Sequence, residues 1–288
     1  MKYVNLNTGA TMPLLGLGTF KIRGQDIVHE VLKTAIEAGY RSFDTASVYK
    51  NEVDIGRSLQ ILLPEHGLTR EDIFLTSKLA PGDQGSGSCR KACLQSIAHL
   101  QCSYLDLFLI HWPGTRKLRP EDSRNKQNRL NSYRDMEQLL REGTVKAIGV
   151  SNFTRNHLEE LLAETSVVPA VLQNEFHPHL HQKELLEWCK LKGIHFQAYS
   201  SLGTSDSHKL LSDPVVLEVA AGTSQTPAQV LLRWAVQQDV GVLPKSTSPK
   251  HLRENCDIFS FKLSSDDMLR LSSIHSGTHY CWNPELVA

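Results

Sequence analysis

Eight times along this chain a short, nearly all-apolar run is followed by an amphipathic stretch, and that alternation leaves few folds open. The runs are LGLGTF, RSFD, IFLTSK, LDLFLI, VKAIGV, AVLQNE, IHFQAY and VGVLPK. Apolar runs of this kind suit strands buried on both faces, which belong to parallel sheets covered by helices. The stretches between them carry helical spacing. Val28, Leu32, Ala35 and Ile36 form one stripe, stopped by Gly39; Ile55, Leu59 and Leu62 form the next, behind Asn51 and Asp54, which read as a helix cap. Further helices are expected over about Ser88–Leu100, Ser132–Arg141, Arg155–Ala163 and Gln182–Lys192, with Thr226-Pro227 opening another and short helices after the last strand. Eight such units predict a closed (β/α)8 barrel, an α/β fold of the TIM type. YVNL, NTGA and MPLLG ahead of it predict a two-stranded N-terminal hairpin.

The 288 residues suit one barrel of about 250 residues with additions, and no Pro/Gly/Ser linker divides them, so residues 1–288 are expected to form a single domain. Two segments leave the alternation. Residues 114–130, GTRKLRPEDSRNKQNRL, are too charged to pack and read as a long loop. Residues 275–288 read as a tail carrying Tyr280 and Trp282.

Lys plus Arg equals Asp plus Glu, 31 against 31, which argues against a broad nucleic-acid or anionic-membrane surface. No apolar run approaches the roughly 18 residues of a membrane span, and MKYVNLNTGATMP has no apolar signal core. The six cysteines are dispersed without a C-x-x-C pair. A cytoplasmic protein with reduced thiols is expected. Without a secretory signal, the sequon at Asn152-Phe153-Thr154 reads poorly as a sugar site.

On a barrel, catalytic groups come from the C-terminal ends of strands. The second strand ends at Asp44, the third at Lys78 and the fourth at His111, while Tyr49 lies on the loop after the second. Any one of these reads most simply as a cap, a solvated lysine, a hydrogen-bonded core histidine or a packed ring. Four around one mouth fit proton donation to a carbonyl oxygen. A phenol titrating near 10 is a poor donor at pH 7, and a desolvated ammonium beside it lowers that value; a shift of about three units needs about 4 kcal/mol. The expectation is that Asp44 keeps Lys78 charged, Lys78 lowers the Tyr49 pKa, and His111 orients the carbonyl. The hydride must come from a cofactor. Gly16-Leu17-Gly18-Thr19-Phe20-Lys21 lacks the third glycine of a dinucleotide fingerprint and opens no helix. LPKSTSPKHLREN instead offers Lys245, hydroxyls at Ser246, Thr247 and Ser248, and a helix opened by Pro249, which suits a phosphate.

GLGTF, FDTASVYKNE, the IFLTSK lysine, LIHWP, GVSNF, LQNEFHP, AYSSLG and LPKSTSP with REN together resemble the aldo-keto reductases over essentially the whole length. The resemblance implies a catalytic tetrad at Asp44, Tyr49, Lys78 and His111. It implies that Ser151, Asn152 and Gln173 bond a nicotinamide carboxamide and that Tyr199 stacks on the ring. Further cofactor contacts are implied at Gly18, Thr19, Asp44, Ser200, Leu202, Lys245, Ser246, Thr247, His251, Glu254 and Asn255. The short tail resembles the compact, small-aldehyde and dicarbonyl-reducing branch, with Phe20, Tyr49, His111, Trp112 and Trp282 as expected pocket walls. NADPH is the implied cofactor, with NADH weaker, and a monomer acting on a small carbonyl is implied. The family often has arginine six residues beyond the phosphate lysine; here that position is His251, so a weaker NADPH preference is expected.

Two other readings compete. His177-Pro178-His179-Leu180-His181 has the H-x-H-x-H form of a zinc site in a hydrolase, but no carboxylate cluster accompanies it, and no metal is expected. A non-catalytic barrel relative, structural or channel-associated, could keep the fold and the cofactor without turnover.

Overall fold

The computed structural model describes residues 2–204 and 209–288. Two strands, β1 (Tyr3–Asn5) and β2 (Thr11–Pro13), pair antiparallel as the expected hairpin. Eight parallel strands follow: β3 (Leu17–Gly18), β4 (Ser42–Asp44), β5 (Phe74–Leu79), β6 (Leu107–Ile110), β7 (Ile148–Ser151), β8 (Val171–Glu175), β9 (His195–Tyr199) and β10 (Gly241–Val242). Neighbours in sequence are neighbours in the sheet from β3 to β10. The sheet curls until its ends meet: Gly16 N–H donates to Val242 O (2.9 Å), Val242 N–H to Leu14 O (2.7 Å) and Gly18 N–H to Pro244 O (3.1 Å). This seam explains both glycines. A Cβ at Gly16 would stand 2.7 Å from Leu243 Cδ2, and one at Gly18 would stand 2.8 Å from Leu243 O.

The period of two sorts each strand's side chains between the helix layer and the barrel interior. On β6, Phe108 and Ile110 join the core under the helices, while Leu107 and Leu109 join a second cluster with Phe74, Ala147, Ala170 and Val171. Leu6 and Met12 of the hairpin complete that second cluster, so the hairpin seals the N-terminal end of the barrel with apolar contacts. On β5 the same alternation gives Phe74, Thr76 and Lys78 one face and Leu75, Ser77 and Leu79 the other, and Ser77 accordingly reaches Glu52 outside the barrel (2.6 Å). Polar groups are left for the opposite, C-terminal end.

The helices between strands are α1 (Gln25–Ala38), α2 (Glu52–Glu65), α3 (Ser88–His99), α4 (Arg124–Arg141), α5 (Arg155–Glu164), α6 (Lys183–Leu191), α7 (Pro214–Thr223) and α8 (Pro227–Val236), with α9 (Pro249–Cys256) and α10 (Ser265–Ser273) after β10. The Thr226 cap is present, its hydroxyl accepting from Gln229 N–H (3.2 Å). Three expectations need correction. The charged segment 114–130 is not all loop, since α4 begins at Arg124 within it. Its polar groups pack because they are partnered: buried Arg129 bonds Glu160 (2.6 Å), and Asn125 binds Thr115 N–H and the carbonyls of Arg119 and Pro120, each at 2.9 Å. Helix α7, capped by Asp213 with Pro214 at its start, is an additional element that the alternation does not announce. Asn51 precedes α2 but makes no side-chain cap; its amide is turned into the loops behind it.

Candidate active site

Alternation and register bring polar side chains onto one level just below the mouth. Asp44 ends β4, Lys78 lies near the end of β5, and Gln173 and Gln197 sit opposite one another on β8 and β9. Lys78 is 1% exposed. Its ammonium bonds Asp44 Oδ1, Thr45 O (3.0 Å) and Tyr49 Oη (3.2 Å). The other carboxylate oxygen of Asp44 accepts from Gln173 Nε2 (2.8 Å), a bond that spans the barrel from β4 to β8. Gln173 Nε2 also donates to Gln197 Oε1 (2.9 Å). Lys78 thus donates to three acceptors and Asp44 accepts from two donors, satisfying a buried ion pair that would otherwise be costly.

Tyr49 ends a short helical turn, Ser47–Tyr49, and its ring lies 5.1 Å from Phe20 and 5.6 Å, edge-on, from His111. Burial pulls the Lys78 ammonium down, but Asp44 and then Tyr49 more than offset it, and the net direction is up. Lys78 is therefore charged. Tyr49 differs from expectation. Burial raises its pKa more than Lys78 lowers it, so the phenol titrates above its ordinary value rather than below. The lysine restrains the rise without reversing it, because Asp44 sits close enough to cancel part of its field. His111 is pushed down to about 3, by burial first and by Lys78 second, so it is a neutral imidazole. The mouth therefore combines a protonated phenol, a fixed ammonium and a neutral imidazole.

The positions implied to hold the cofactor fall in two groups. Ser151 ends β7 and Asn152 follows it, with Ser151 Oγ donating to Gln173 O (2.7 Å). Asn152 has φ 63°, donates to His111 O (2.8 Å) and accepts from Tyr199 Oη (2.5 Å) at the end of β9. Ser200 and Leu202 follow Tyr199 on the same loop, and Gly18 and Thr19 stand across the seam, Thr19 Oγ1 donating to Asp44 O (2.8 Å). The second group lies beyond β10. Lys245 and Thr247 are exposed; Ser246 accepts from Ser248 N–H (3.0 Å), and Ser248 caps α9 at His251 N–H (3.5 Å). The His251 ring is in solvent, Glu254 pairs with Lys250 (3.7 Å), and Asn255 is buried. This donor set fits a nicotinamide dinucleotide: amides and hydroxyls suit a carboxamide at one end, and a lysine, two hydroxyls and a helix N-terminus suit a phosphate at the other.

Of the expected pocket walls, Phe20 lies on Tyr49, and Trp112 stands 6.2 Å from Trp282, which is 82% exposed. Residue 112 is fixed by Gln84, which donates to Trp112 O (2.7 Å) and Gly114 O (3.1 Å). The three histidines of the H-x-H-x-H run go to separate partners. His177 meets Glu175 (2.9 Å), His179 lies between Asp213 (3.0 Å) and Tyr280 Oη (2.7 Å), and His181 meets Gln238 (2.9 Å). They help clasp the tail: buried Glu175 accepts from Tyr280 N–H (2.7 Å) and Cys281 N–H (3.2 Å). Gln84 lies in no motif, and Glu175 lies within LQNEFHP without a role that the run announces; Gln197 has a readable signal, since it lies two residues before Tyr199 on an alternating strand.

A barrel whose mouth holds a protonated phenol against a buried Lys–Asp pair defines a class: nicotinamide-dependent oxidoreductases acting on carbonyls. The model of the Aldo/keto reductase family matches residues 14–276, and the chain belongs to that family. It is 41% identical over 282 residues to a glyoxal reductase of Bacillus subtilis (strain 168), covering 98% of this chain and 96% of the relative. It is 38% identical over 295 residues to aldo-keto reductase family 1 member A1 of Sus scrofa, covering 96% and 90%. Among solved structures it resembles an aldo-keto reductase from a Medee basin deep-sea metagenome library, at TM-score 0.88 and 36% identity with 96% of each chain covered. It also resembles the aldose reductase of Schistosoma japonicum, at TM-score 0.87 and 37% identity, covering 97% and 94%.

Proposed function

We propose that this enzyme reduces small aldehydes and dicarbonyls to alcohols with NADPH, Tyr49 giving the proton to the carbonyl oxygen. The observation that carries the reading is the Lys78 ammonium, held against both Asp44 and the Tyr49 hydroxyl in a buried mouth. A bound nicotinamide supplies a hydride to the carbonyl carbon. The chain's own groups handle the oxygen. Tyr49 Oη and neutral His111 orient it by hydrogen bonds, and the phenol proton passes to it as negative charge develops. The phenolate left behind is stabilised by Lys78, and Asp44 keeps Lys78 charged throughout. The role of the ammonium is therefore to lower the energy of the phenolate at the moment of transfer; the resting phenol keeps its proton.

Similarity to the glyoxal reductase supports a small dicarbonyl as substrate. Phe20, Trp112 and Trp282 would form apolar walls that accept many small carbonyls, since each methylene discriminates by only about 1–3 kcal/mol. Lys245 and Ser246 would grip the 2′-phosphate, which carries close to two negative charges. His251 adds less than an arginine would. The reading extends to one domain over residues 1–288, acting as a cytoplasmic monomer. The test is a panel of aldehydes, glyoxals and ketones with each nicotinamide cofactor, together with Lys245→Met. Turnover of small aldehydes with NADPH preferred is expected. Lys245→Met should weaken NADPH binding about ten- to a hundredfold, the worth of one charge-assisted bond, and NADH binding much less. Equal weakening of both would remove Lys245 from the 2′-phosphate, and no turnover of any carbonyl would leave a non-catalytic relative as the better reading.

A further inference from the structure

We infer that Asn51 is a positioning residue for the proton donor, holding the Tyr49 loop and the Phe20 loop in one geometry; the inference rests on the assignment of Tyr49 above. Asn51 is 1% exposed, and its side chain makes four hydrogen bonds, none of them to the helix it precedes. Its Oδ1 accepts from Thr45 Oγ1 (2.7 Å). Its Nδ2 donates to Thr19 O (2.9 Å) and Ile22 O (2.9 Å), with Thr19 Oγ1 at 3.3 Å.

Each partner is one step from the reacting groups. The Thr45 carbonyl accepts from Lys78 Nζ (3.0 Å). Thr19 binds Asp44 O through both its N–H (3.1 Å) and its hydroxyl (2.8 Å). Thr19 and Ile22 bracket the loop that carries Phe20, whose ring lies 5.1 Å from that of Tyr49. Tyr49 itself is joined to Asn51 through Lys50 alone, which sits at φ 60°. That left-handed residue is unfavourable outside glycine and persists where its surroundings fix it. The amide is suited to the task because it accepts on one side and donates twice on the other. A carboxylate of the same shape could still accept from Thr45 but would face the Thr19 and Ile22 carbonyls with no proton to give. Forgoing the cap in favour of these loops is what a residue selected for the mouth, rather than for the helix, would do.

The test compares Asn51→Asp, Asn51→Ala and Thr45→Val with Leu59→Ala, which opens a cavity on the core face of the same helix without touching the mouth. Three quantities are read: kcat and KM for a small aldehyde, the thermal midpoint, and the ring resonance of Tyr49 in tyrosine-labelled protein, assigned with Tyr49→Phe. The Asn51 variants should lose between about tenfold and a hundredfold in kcat, the effect of a small misplacement of a reacting group, and should shift the Tyr49 resonance. Thr45→Val, which removes one of the four bonds, should shift the same resonance less. Leu59→Ala, at a similar loss of thermal midpoint, should leave kcat and the resonance unchanged. If the Asn51 variants do not fold, Thr45→Val against Leu59→Ala decides. Should wild-type protein reduce no carbonyl, the functional reading fails while the Tyr49 resonance still decides the positioning role. An unshifted resonance with normal kcat in a folded Asn51→Asp or Thr45→Val, or an equal kcat loss in Leu59→Ala, would overturn the inference.

Discussion

Tyr49 stands between opposing influences, and the balance decides how the site works. Burial holds its proton on, Lys78 eases its departure, and Asp44 limits what Lys78 can do. A phenol held above its ordinary pKa is fully protonated through neutral pH, so the proposed donor would always be loaded. His111, pushed down to about 3, does not titrate in the same range. The rate of reduction at saturating cofactor and substrate should therefore be flat from about pH 6 to 9, with no inflection near the ordinary histidine value of about 6.5. An inflection there in the kcat profile would place a charged His111 in the cycle and contradict this assignment. That Asp44, Tyr49, Lys78 and His111 meet at one mouth was legible in the sequence because each ends a strand or follows one. The direction of the Tyr49 shift was not, because it depends on the balance between burial and two opposite charges within a few ångströms.

The tail shows how an element can be placed by groups whose role no pattern announces. Residues 275–288 have no helical or strand periodicity, yet Glu175, buried at the end of β8, accepts two of the tail's backbone N–H groups. The segment's far end is held too, with Val287 O accepting from His157 (2.7 Å) and Ala288 N–H donating to Pro120 O (2.8 Å). Between these anchors lies Trp282. Glu175→Gln keeps the shape but gives up one acceptor, so it should destabilise the clasp by about 1–3 kcal/mol. Faster amide hydrogen exchange at Tyr280 and Cys281, with kcat for the smallest aldehydes preserved, is the expected result. Unchanged exchange at those two amides would mean that the tail is held elsewhere. Helix α4 makes a related point: the charged stretch reads as a loop because nothing in the sequence shows that buried Arg129 pairs with Glu160, which lets half of it fold onto the barrel.

At the scale of the whole molecule, strand order, the hairpin and the open end were all legible, because a repeated strand–helix unit admits one closed arrangement. The seam at Gly16 and Gly18 and the polar layer across the barrel were not, since both need the register. The folded chain also encloses many imidazoles. His111 and His195 are pushed down to about 3 and about 4, and His157, His177 and His181 are lowered as well, all chiefly by burial. Below about pH 6.5 the unfolded chain protonates these groups while the folded chain does not, so stability must fall as pH drops, by at most about 1.4 kcal/mol per unit for each group. Glu175 adds a lower step. Burial raises its pKa, but His177 and the tail amides lower it further, so its contribution is present above about 4.3 and is lost as pH falls through its folded value. The thermal midpoint should begin to decline near pH 6.5; a midpoint constant from about pH 7 to 5 would contradict this. The central claim, that this barrel assembles a proton donor for carbonyl reduction, is tested most directly by Tyr49→Phe, which removes one hydroxyl from the mouth. With NADPH and a small aldehyde, kcat should fall by about a hundredfold or more, while NADPH affinity and thermal midpoint stay at wild-type values; normal turnover by the folded, cofactor-binding variant would contradict the account.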